Sequence, residues 1–562
     1  MRISRQQQEQ AQTEFVQQFG ILDLAKQRHI WNAEHITFEI ETHIGQPFTK
    51  ALREKNAPAL TRIFHDDFTG QIRRKATWNS RQCSLVTEQH LANSGFSSRL
   101  VNTANGIVKY LLKSVNPFQQ IQRCKLRVLQ IDQSDNDSAT WKVKILLVVH
   151  GRDLDGKWVD WKSEHQWRLQ CANDQKIAGE KIISRWNVLN ETLRTCPRPL
   201  MEEATKSFGL ADLSLRDNWD DSTDLLAYRQ QLAVEDFDRD GYLDIAVATF
   251  HRVLLLQSVN GQRFKEVGNK LLQPRQPYFP ASHLASWVDF DNDGFPDLVL
   301  RNRLFHNVNG KQFIDITELS GLRFKALPYG CIPIDYNADG LLDLYVIYQV
   351  GPQQAAKRQE PWVGDNRSGM ENQLWRNLGE GRFEDVTLES GTGGGPRHSF
   401  AAAWLFFDDD HFPDVYIAND FAPNVLLRNR GDGTFADISR ENGATDFATS
   451  MGAVSGDLDN NGSAEIYVAN MYSKMGRRII AHVGPEDYPP GIYHQIIGSC
   501  AGSRLYRMRD DAQGYEEISE GMGVNEVGWA HGAAMVDLDS DGWLDLYATA
   551  GYMSFDQHKP DG

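Results

Sequence analysis

The stretch "DFDRDGYLDIAVA", from Asp236 to Ala248, sets Asp236, Asp238 and Asp240 at alternate positions, then a glycine, then Asp244 three residues further on. Carboxylates at that spacing repel one another, and the repulsion grows as water is withdrawn, so a positive charge is expected among them. Counted from the first acid, positions 1, 3, 5 and 9 offer side-chain oxygens and position 7 a backbone carbonyl. An all-oxygen set of this kind suits calcium. Glycine at position 6 permits the sharp turn that folds both halves of the loop around one ion. An EF-hand would need a bidentate Glu at position 12 and helices on either side. Position 12 is instead Val247, Leu300, Val346, Val468 and Ala548 in the five intact copies of the loop, which excludes it.

Those copies are the decisive signal. "DFDNDGFPDLVL" supplies Asp289, Asp291, Asp293 and Asp297; "DYNADGLLDLYVI" supplies Asp335, Asn337, Asp339 and Asp343. "DLDNNGSAEIYVA" supplies Asp457, Asp459, Asn461 and Glu465, and "DLDSDGWLDLYAT" supplies Asp537, Asp539, Asp541 and Asp545. A damaged copy, "FFDDDHFPDVYIA", puts Phe406 at position 1 and His411 in place of the glycine. It retains Asp408, Asp410 and Asp414, and a weak or lost metal site is expected there. The formal net charge is -16; five bound dications would reduce it to about -6. Much of the acidity is therefore read as binding apparatus, holding about four to six calcium ions that staple the folded chain.

The copies recur about every fifty residues, except where polar, Pro- and Gly-bearing insertions begin at Gly351 and Ser473. Between the loops, "NRLFHN", "NQLWRN", "NVLLRN" and "SRLYRM" each precede a Gly-containing turn and then "KQFIDIT", "GRFEDVT", "GTFADIS" or "GYEEIS". After position 9 the residues are β-branched, aromatic or small and alternate in character, so the loop joins two strands. Several short strands per unit and a fixed period fit radial four-stranded blades better than a sandwich, which has no reason to repeat its sequence.

The D-x-D-x-D-G-x-x-D loops, "GDGTFADIS" and the "NRLFHN" strand resemble the FG-GAP/VCBS repeats of integrin α-subunit propellers and of the cartilage acidic protein (ASPIC/UnbV-like) group. The resemblance covers about residues 197 to 562. It implies a calcium-bound, all-β propeller of six or seven blades, outside the cytoplasm, serving adhesion or the binding of a protein or glycan partner. Six units can be counted, and "RPLMEEATKSFGL" from Arg198 reads as the tail of another unit. A strand from the start of this region could close the ring.

Residues 1–195 read as a separate α+β domain before the propeller of 196–562. Gln6 to about Arg28 is polar and helix-favouring, and "QPFTKALREKNAPALTRIFHDDFTGQI" is expected to form amphipathic helices with a turn near Asn56. "WKVKILLVVHGRDLDGKWVDWKSEHQWRLQC" alternates Trp161, Ser163, His165, Trp167 and Leu169 against polar residues, a half-buried strand paired through the "DLDGK" turn. Helices followed by a curved antiparallel sheet resemble the NTF2-like (SnoaL-like) cone, which implies a pocket able to take a small molecule. His165 is the catalytic candidate there, with His65, Asp66 or Asp67 as partners. The competing reading makes His165 a core residue with one satisfied hydrogen bond.

The acidic charge argues against a nucleic-acid partner. No apolar run is long enough for a membrane helix, and the N-terminal residues lack the apolar core of a signal peptide, whereas loops of this kind suit the millimolar calcium found outside cells. Six scattered cysteines read as buried thiols rather than a disulfide framework. The Arg430–Asp432 tripeptide lies in a Gly-Asp-Gly turn that has a local reason to exist. Two functions follow: a calcium-stabilised interaction scaffold with an accessory α+β module, or an enzyme of isomerase, lyase or dehydratase type using the N-terminal pocket or the propeller's central face.

Overall fold

The computed structural model describes residues 22–73, 78–83, 85–91, 98–134, 137–170, 180–211, 213, 230–249, 252–273, 283–349, 367–408, 410–510 and 514–551. Asp409 and most of the insertion beginning at Gly351 lie outside the described residues. The chain is mostly β and divides into two compact units: Val16–Glu202 with Lys474–Tyr488, and Glu203–Ser473 with Pro489–Gly562.

In the first unit, Asp23 caps α1 (Leu24–Glu39) by accepting the amide N–H groups of Ala25 and Lys26 at 2.8 and 2.9 Å. A π-helical stretch, Ile40–Gly45, leads into α2 (Gln46–Arg53), and Asn56 caps the short α3 (Ala57–Thr61). Helix α4 is Ala104–Val115. One curved half-barrel sheet holds β1 (Phe64–Arg73), β2 (Trp78–Cys83), β3 (Val86–Leu91), β4 (Ser98–Val101), β5 (Phe118–Ser134), β6 (Asp137–Asp153), β7 (Trp158–Gln170) and β8 (Ile183–Cys196). Its order is β2-β3-β8-β7-β6-β5, and β1 lies parallel to β8 and antiparallel to β4. The alternation expected on β7 is present: Trp161, Ser163, His165, Trp167 and Leu169 are all buried, opposite polar neighbours.

Two sequence expectations change here. Of the helix-favouring stretch from Gln6, residues 6–21 lie outside the described residues, and the helix that is described, Leu24–Glu39, runs well past Arg28. The helix expected after the turn at Asn56 ends at Thr61, and Phe64–Arg73 is instead strand β1. Phe64 and Phe68 are both buried four residues apart, a helical spacing, but the register of β1 against β8 shifts between Phe64 and Thr69. An irregular strand thus imitates a helix in the sequence.

The polar composition of the insertion from Ser473 predicts a loop leaving the repeat scaffold. Its first part, Lys474–Tyr488, belongs to the first unit instead. The helix Lys474–Ile480 carries Arg478, whose Nε and Nη2 donate to Glu34 at 2.9 and 2.7 Å and whose Nη1 donates to the Val128 carbonyl at 3.1 Å. Lys26 pairs with Asp487.

The second unit is a succession of small antiparallel sheets. The first comprises Gln230–Glu235, Asp244–Thr249, Val253–Val259 and Arg263–Glu266. The second is built on Ala285–Val288, Asp297–Leu300, Arg303–Asn307 and Phe313–Asp315, and the third on Gly330–Ile334, Asp343–Ile347, Gln373–Asn377 and Phe383–Asp385. The fourth holds His398–Leu405, Asp414–Pro423, Val425–Asn429 and Phe435–Asp437; the fifth holds Phe447–Gly456, Glu465–Asn470, Arg504–Met508 and Tyr515–Glu517. These last two merge where Asp420 pairs with Thr449. The sixth has Ala530–Val536 and Asp545–Ala550.

Consecutive sheets stack face to face, which explains the composition of their second strands. Leu298 and Leu300 pack with Ala246, Ala248 and Leu255 of the sheet before, while Val299 between them packs with Leu344 and Val346 of the sheet after. Tyr345 and Ile347 then meet Val415 and Ile417, and Tyr416 and Ala418 meet Ile466 and Val468. A strand buried on both faces must be apolar at every position rather than at alternate ones. Cys124, Cys196 and Cys331 are buried free thiols, and Cys500 is half-buried.

Replacing Arg478 by Met leaves Glu34 and the Val128 carbonyl without their donor in a largely enclosed place. The expected loss is about 2 kcal/mol in urea unfolding of the full chain, with faster limited proteolysis between Lys474 and Tyr488.

Candidate metal centres

Each acidic loop connects the first and second strands of its sheet, and the five intact copies share one backbone path. Position 4 is left-handed in all of them: φ is 58° at Arg239, 58° at Asn292, 57° at Ala338, 53° at Asn460 and 61° at Ser540. The position-6 glycines follow at 89°, 86°, 86°, 90° and 88° (Gly241, Gly294, Gly340, Gly462, Gly542), a conformation open to glycine at little cost.

The same hydrogen bonds recur as well. The position-1 carboxylates of Asp236, Asp289, Asp335, Asp457 and Asp537 accept the position-6 N–H at 2.8–3.0 Å. Position 5 accepts the N–H of position 7 in every intact copy: Asp240 from Tyr242, Asp293 from Phe295, Asp339 from Leu341, Asn461 from Ser463 and Asp541 from Trp543. Position 9 accepts the N–H of position 2 through one oxygen: Asp244, Asp297, Asp343, Glu465 and Asp545 each do so. These bonds aim the acids inward, and one oxygen each of Asp236, Asp238 and Asp244 lies within 4.8 Å of the others. The same is true of Asp289, Asp291 and Asp293, of Asp457, Asp459 and Glu465, and of Asp537, Asp539 and Asp545. In the third loop the Asn337 amide reaches Asp339 at 2.8 Å.

The electrostatics show what these groups lack. Burial, with neighbouring carboxylates adding to it, pushes Asp244 up to about 7, Asp297 to about 8 and Asp343 to about 7. Glu465 rises to about 7 for the same reason. Buried oxygens of Asp238, Asp289 and Glu465 have no hydrogen-bond partner. Orphaned anionic oxygens in a half-buried, all-oxygen cluster fit a hard dication. The residues present therefore satisfy the donor set that calcium requires.

Residues outside the loop, missed in the sequence, complete the centres. Third-strand amides Ser258, Asn307 and Asn377 donate to the second oxygen of Asp244, Asp297 and Asp343 at 2.6–2.7 Å. The side-chain amide of Asn307 donates to Phe237 O at 2.8 Å, that of Asn377 to Phe290 O at 2.7 Å, and that of Asn429 to Tyr336 O at 2.8 Å. Each acceptor is position 2 of the preceding loop, so one loop is tied to the next sheet. The signal was the closing Asn of "NRLFHN", "NQLWRN" and "NVLLRN". At the position just before that Asn or its equivalent, side chains reach into the acids. Gln257 does not charge its loop when it donates to Asp238, and His306 Nδ1 lies 3.1 Å from Asp297 and 3.3 Å from Asp291.

The damaged loop differs at that place. Arg428 pairs with Asp408, setting a permanent cation among Asp408, Asp410 and Asp414. Burial pushes Asp414 up to about 6.

In the other unit, His165 is fully buried and burial pushes it down to about 3. Its expected partners are elsewhere. His65 Nδ1 accepts the Asp67 N–H, and Asp66, 74% exposed, pairs with Lys181. The Arg430–Asp432 turn is held by Asp432, which accepts from Thr434.

Comparison with known proteins places the repeats. The FG-GAP-like repeat family matches residues 236–300 and 407–468. Cartilage acidic protein 1 of Xenopus tropicalis is 24% identical over 405 residues, 61% of this chain and 60% of that protein. The Homo sapiens protein is 23% identical over 391 residues, 57% of this chain and 56% of its own length. The chain thus spans about three-fifths of the curated relatives it matches. A solved Agrocybe aegerita lectin that recognises non-reducing terminal N-acetylglucosamine aligns over 87% of this chain and 96% of that one, at 13% identity and a TM-score of 0.31. A superposition that loose says nothing about fold or ligand. The chain carries FG-GAP-like repeats and is similar to cartilage acidic protein 1.

Two outcomes are expected. Asn377→Ala strands the Phe290 and Leu342 carbonyls that its amide joins, and urea unfolding is expected to show a loss of about 1–3 kcal/mol. In chelator, stability should rise as pH falls from 8 towards 5. The position-9 acids are raised in the folded state, so the fold binds more protons than the unfolded chain across that range and is destabilised as pH climbs. Millimolar calcium should reverse the trend, as read by urea midpoints at each pH.

Proposed function

We propose that the second unit is a calcium-stabilised β-propeller of six or seven blades that works as an extracellular interaction or adhesion scaffold for a protein or glycan partner, the α+β unit being an accessory module. The observation that carries this reading is the repetition of one loop geometry, angle by angle and bond by bond, in five consecutive-type units. Unrelated Asp/Gly turns have no reason to share a left-handed position 4, a glycine at 6 and a position-9 acid bonded to position 2.

A ring is supported by the way the sheets succeed one another. First strands of consecutive sheets lie side by side from Ala285–Val288 through Gly330–Ile334, His398–Leu405 and Phe447–Gly456 to Ala530–Val536. The left-handed glycine after each fourth strand sits against the fourth strand of the next sheet, Gly321 at Phe383 O and Gly391 at Phe435 O. Gly209 stands in the same relation to Phe264 O, and Leu210 and Leu213 pack on Val247, Leu254 and Leu256. The stretch after Glu203 therefore behaves as the tail of a preceding blade.

A bound calcium ion supplies positive charge to each loop. Asp236, Asp238, Asp240 and Asp244, and their counterparts in the four other intact loops, would hold it. The loop around Asp408 carries the Arg428 guanidinium in its stead, and five sites are proposed for six loops. Extracellular placement follows from the affinity such open loops need, together with the likeness to cartilage acidic protein 1.

Calorimetry of the purified chain, with metal counted on the same sample, tests this. About five calcium ions per chain are expected, with a large fall in Tm on chelation; each site at a hundredfold excess over its Kd contributes about 2.7 kcal/mol. A chain that melts identically with and without chelator, and carries no calcium at millimolar supply, would overturn the reading.

A further inference from the structure

Where the fourth and fifth sheets merge, buried side-chain oxygens stand without partners. Asp420 Oδ1, Thr449 Oγ1, Ser450 Oγ and Asn470 Oδ1 all lack a hydrogen bond among the described residues, and their residues are 6%, 7%, 0% and 0% exposed. They lie at the strand ends remote from the acidic loops. Asp420 is six residues beyond Asp414, the position-9 acid of its own loop, which is about 20 Å along an extended strand.

Strand alternation aims these groups at one another. Tyr416 and Ala418 of the fourth sheet pack against Ile466 and Val468 of the fifth. A strand repeats its face every second residue, so Asp420 continues the first row, Asn470 continues the second, and the two rows face each other. Asn470 is the Cα partner of Ser450, and Asp420 that of Thr449, which brings both hydroxyl residues to the same corner. His398, the neighbour of Asp420 within its own sheet, turns instead to Ser368, with Nε2 2.8 Å from Oγ.

The equivalent place between the third and fourth sheets is closed by hydrogen bonds. Ser399 Oγ donates to Asn419 Oδ1 at 3.0 Å, and Asn372 Nδ2 donates to Ser399 Oγ at 3.2 Å. Ser450 and Asn470 are the counterparts of Ser399 and Asn419 one sheet on, paired in the ladder in the same way, yet their side chains do not bond. Oxygens that share one hard cation stand about 3.5 Å apart, wider than a hydrogen bond. The residue aimed at the gap also changes. Counted from the first residue of each loop, position 15 is Gln349, Asp420 and Met471 in three successive units, so of these only the middle one brings a carboxylate.

One carboxylate among neutral oxygens calls for one positive charge. Burial pushes Asp420 up to about 8, opposed by the Phe421 N–H. Phe421 itself is left-handed, with φ 56°, a costly conformation for a side chain of its bulk. A dication would leave an uncompensated charge in this buried corner, whereas a monovalent one balances the carboxylate. We infer that Asp420, Thr449, Ser450 and Asn470 form a binding site for one alkali-metal ion, which pins the fourth sheet to the fifth. The site is separate from the calcium loops and does not depend on the scaffold reading.

The full chain is kept at pH 7 in millimolar calcium throughout, so that the outcome is independent of the acidic loops. Sodium or potassium chloride then replaces choline chloride at constant ionic strength while calorimetry follows Tm. The unaltered chain is expected to gain Tm along a single-site curve in sodium, potassium or both, and Asp420→Asn to bind at least tenfold more weakly and so to stay level. In choline alone the variant should melt close to the unaltered chain, because the carboxyl it replaces is then held neutral. Should the variant fail to fold, line broadening of the sodium-23 and potassium-39 signals by the unaltered chain decides. Equal Tm in all three salts, with no line broadening, would mean that water meets these oxygens and would overturn the inference. A response that Asp420→Asn keeps in full, or one given by added calcium in place of sodium and potassium, would overturn it too.

Discussion

Everything in the repeat unit follows from crowding carboxylates where water is scarce. A position-9 acid such as Asp297 is fully buried, accepts N–H groups from Phe290 and Asn307, and faces Asp291 and Asp293. Those hydrogen bonds fix the loop, yet they do not neutralise it. Without a cation the cheapest response is protonation, and the upward displacement of Asp244, Asp297, Asp343 and Glu465 is that response. A dication removes the conflict, because the oxygens that repel one another become its ligands. The loop around Asp408 resolves the same conflict within the chain, through Arg428.

The loops matter beyond themselves because they are wired into the packing. In Asp244, Asp297 and Asp343 one oxygen reaches back to the acid's own loop and the other reaches forward to the third strand of the same sheet. The asparagine ending that strand then bonds the loop of the sheet before. Loop geometry, strand pairing and sheet stacking are thereby coupled through short, directional bonds. Apolar burial supplies most of the cohesion between sheets, with second strands buried on both faces. The polar links set the register in which that burial occurs.

The α+β unit is organised on the opposite principle. Its core is aromatic and poor in charge, and its buried carboxylate Glu191 accepts from the Trp161 indole. His165 illustrates how a neighbour decides a residue's chemistry: Trp186 takes the lone pair a general base would have used. The exposed acids once considered its partners, Asp66 and Asp67, lie on β1 among solvent and Lys181.

Local chemistry was legible in the sequence wherever it repeated or alternated. Five loops with one spacing announced one recurring acidic turn, the strand after each loop was plain from its β-branched and aromatic residues, and the period of two on Trp161–Leu169 located a buried face correctly. These features are decided by neighbours along the chain, so a one-dimensional reading suffices. What depends on contacts distant in sequence was not legible. The register shift in β1 made Phe64 and Phe68 look helical. Lys474–Tyr488 looked like a free loop until Arg478 found Glu34, more than four hundred positions away. The asparagines linking one loop to the next sheet, the guanidinium that fills the damaged loop and the tautomer of His165 are all set by groups that only folding brings together.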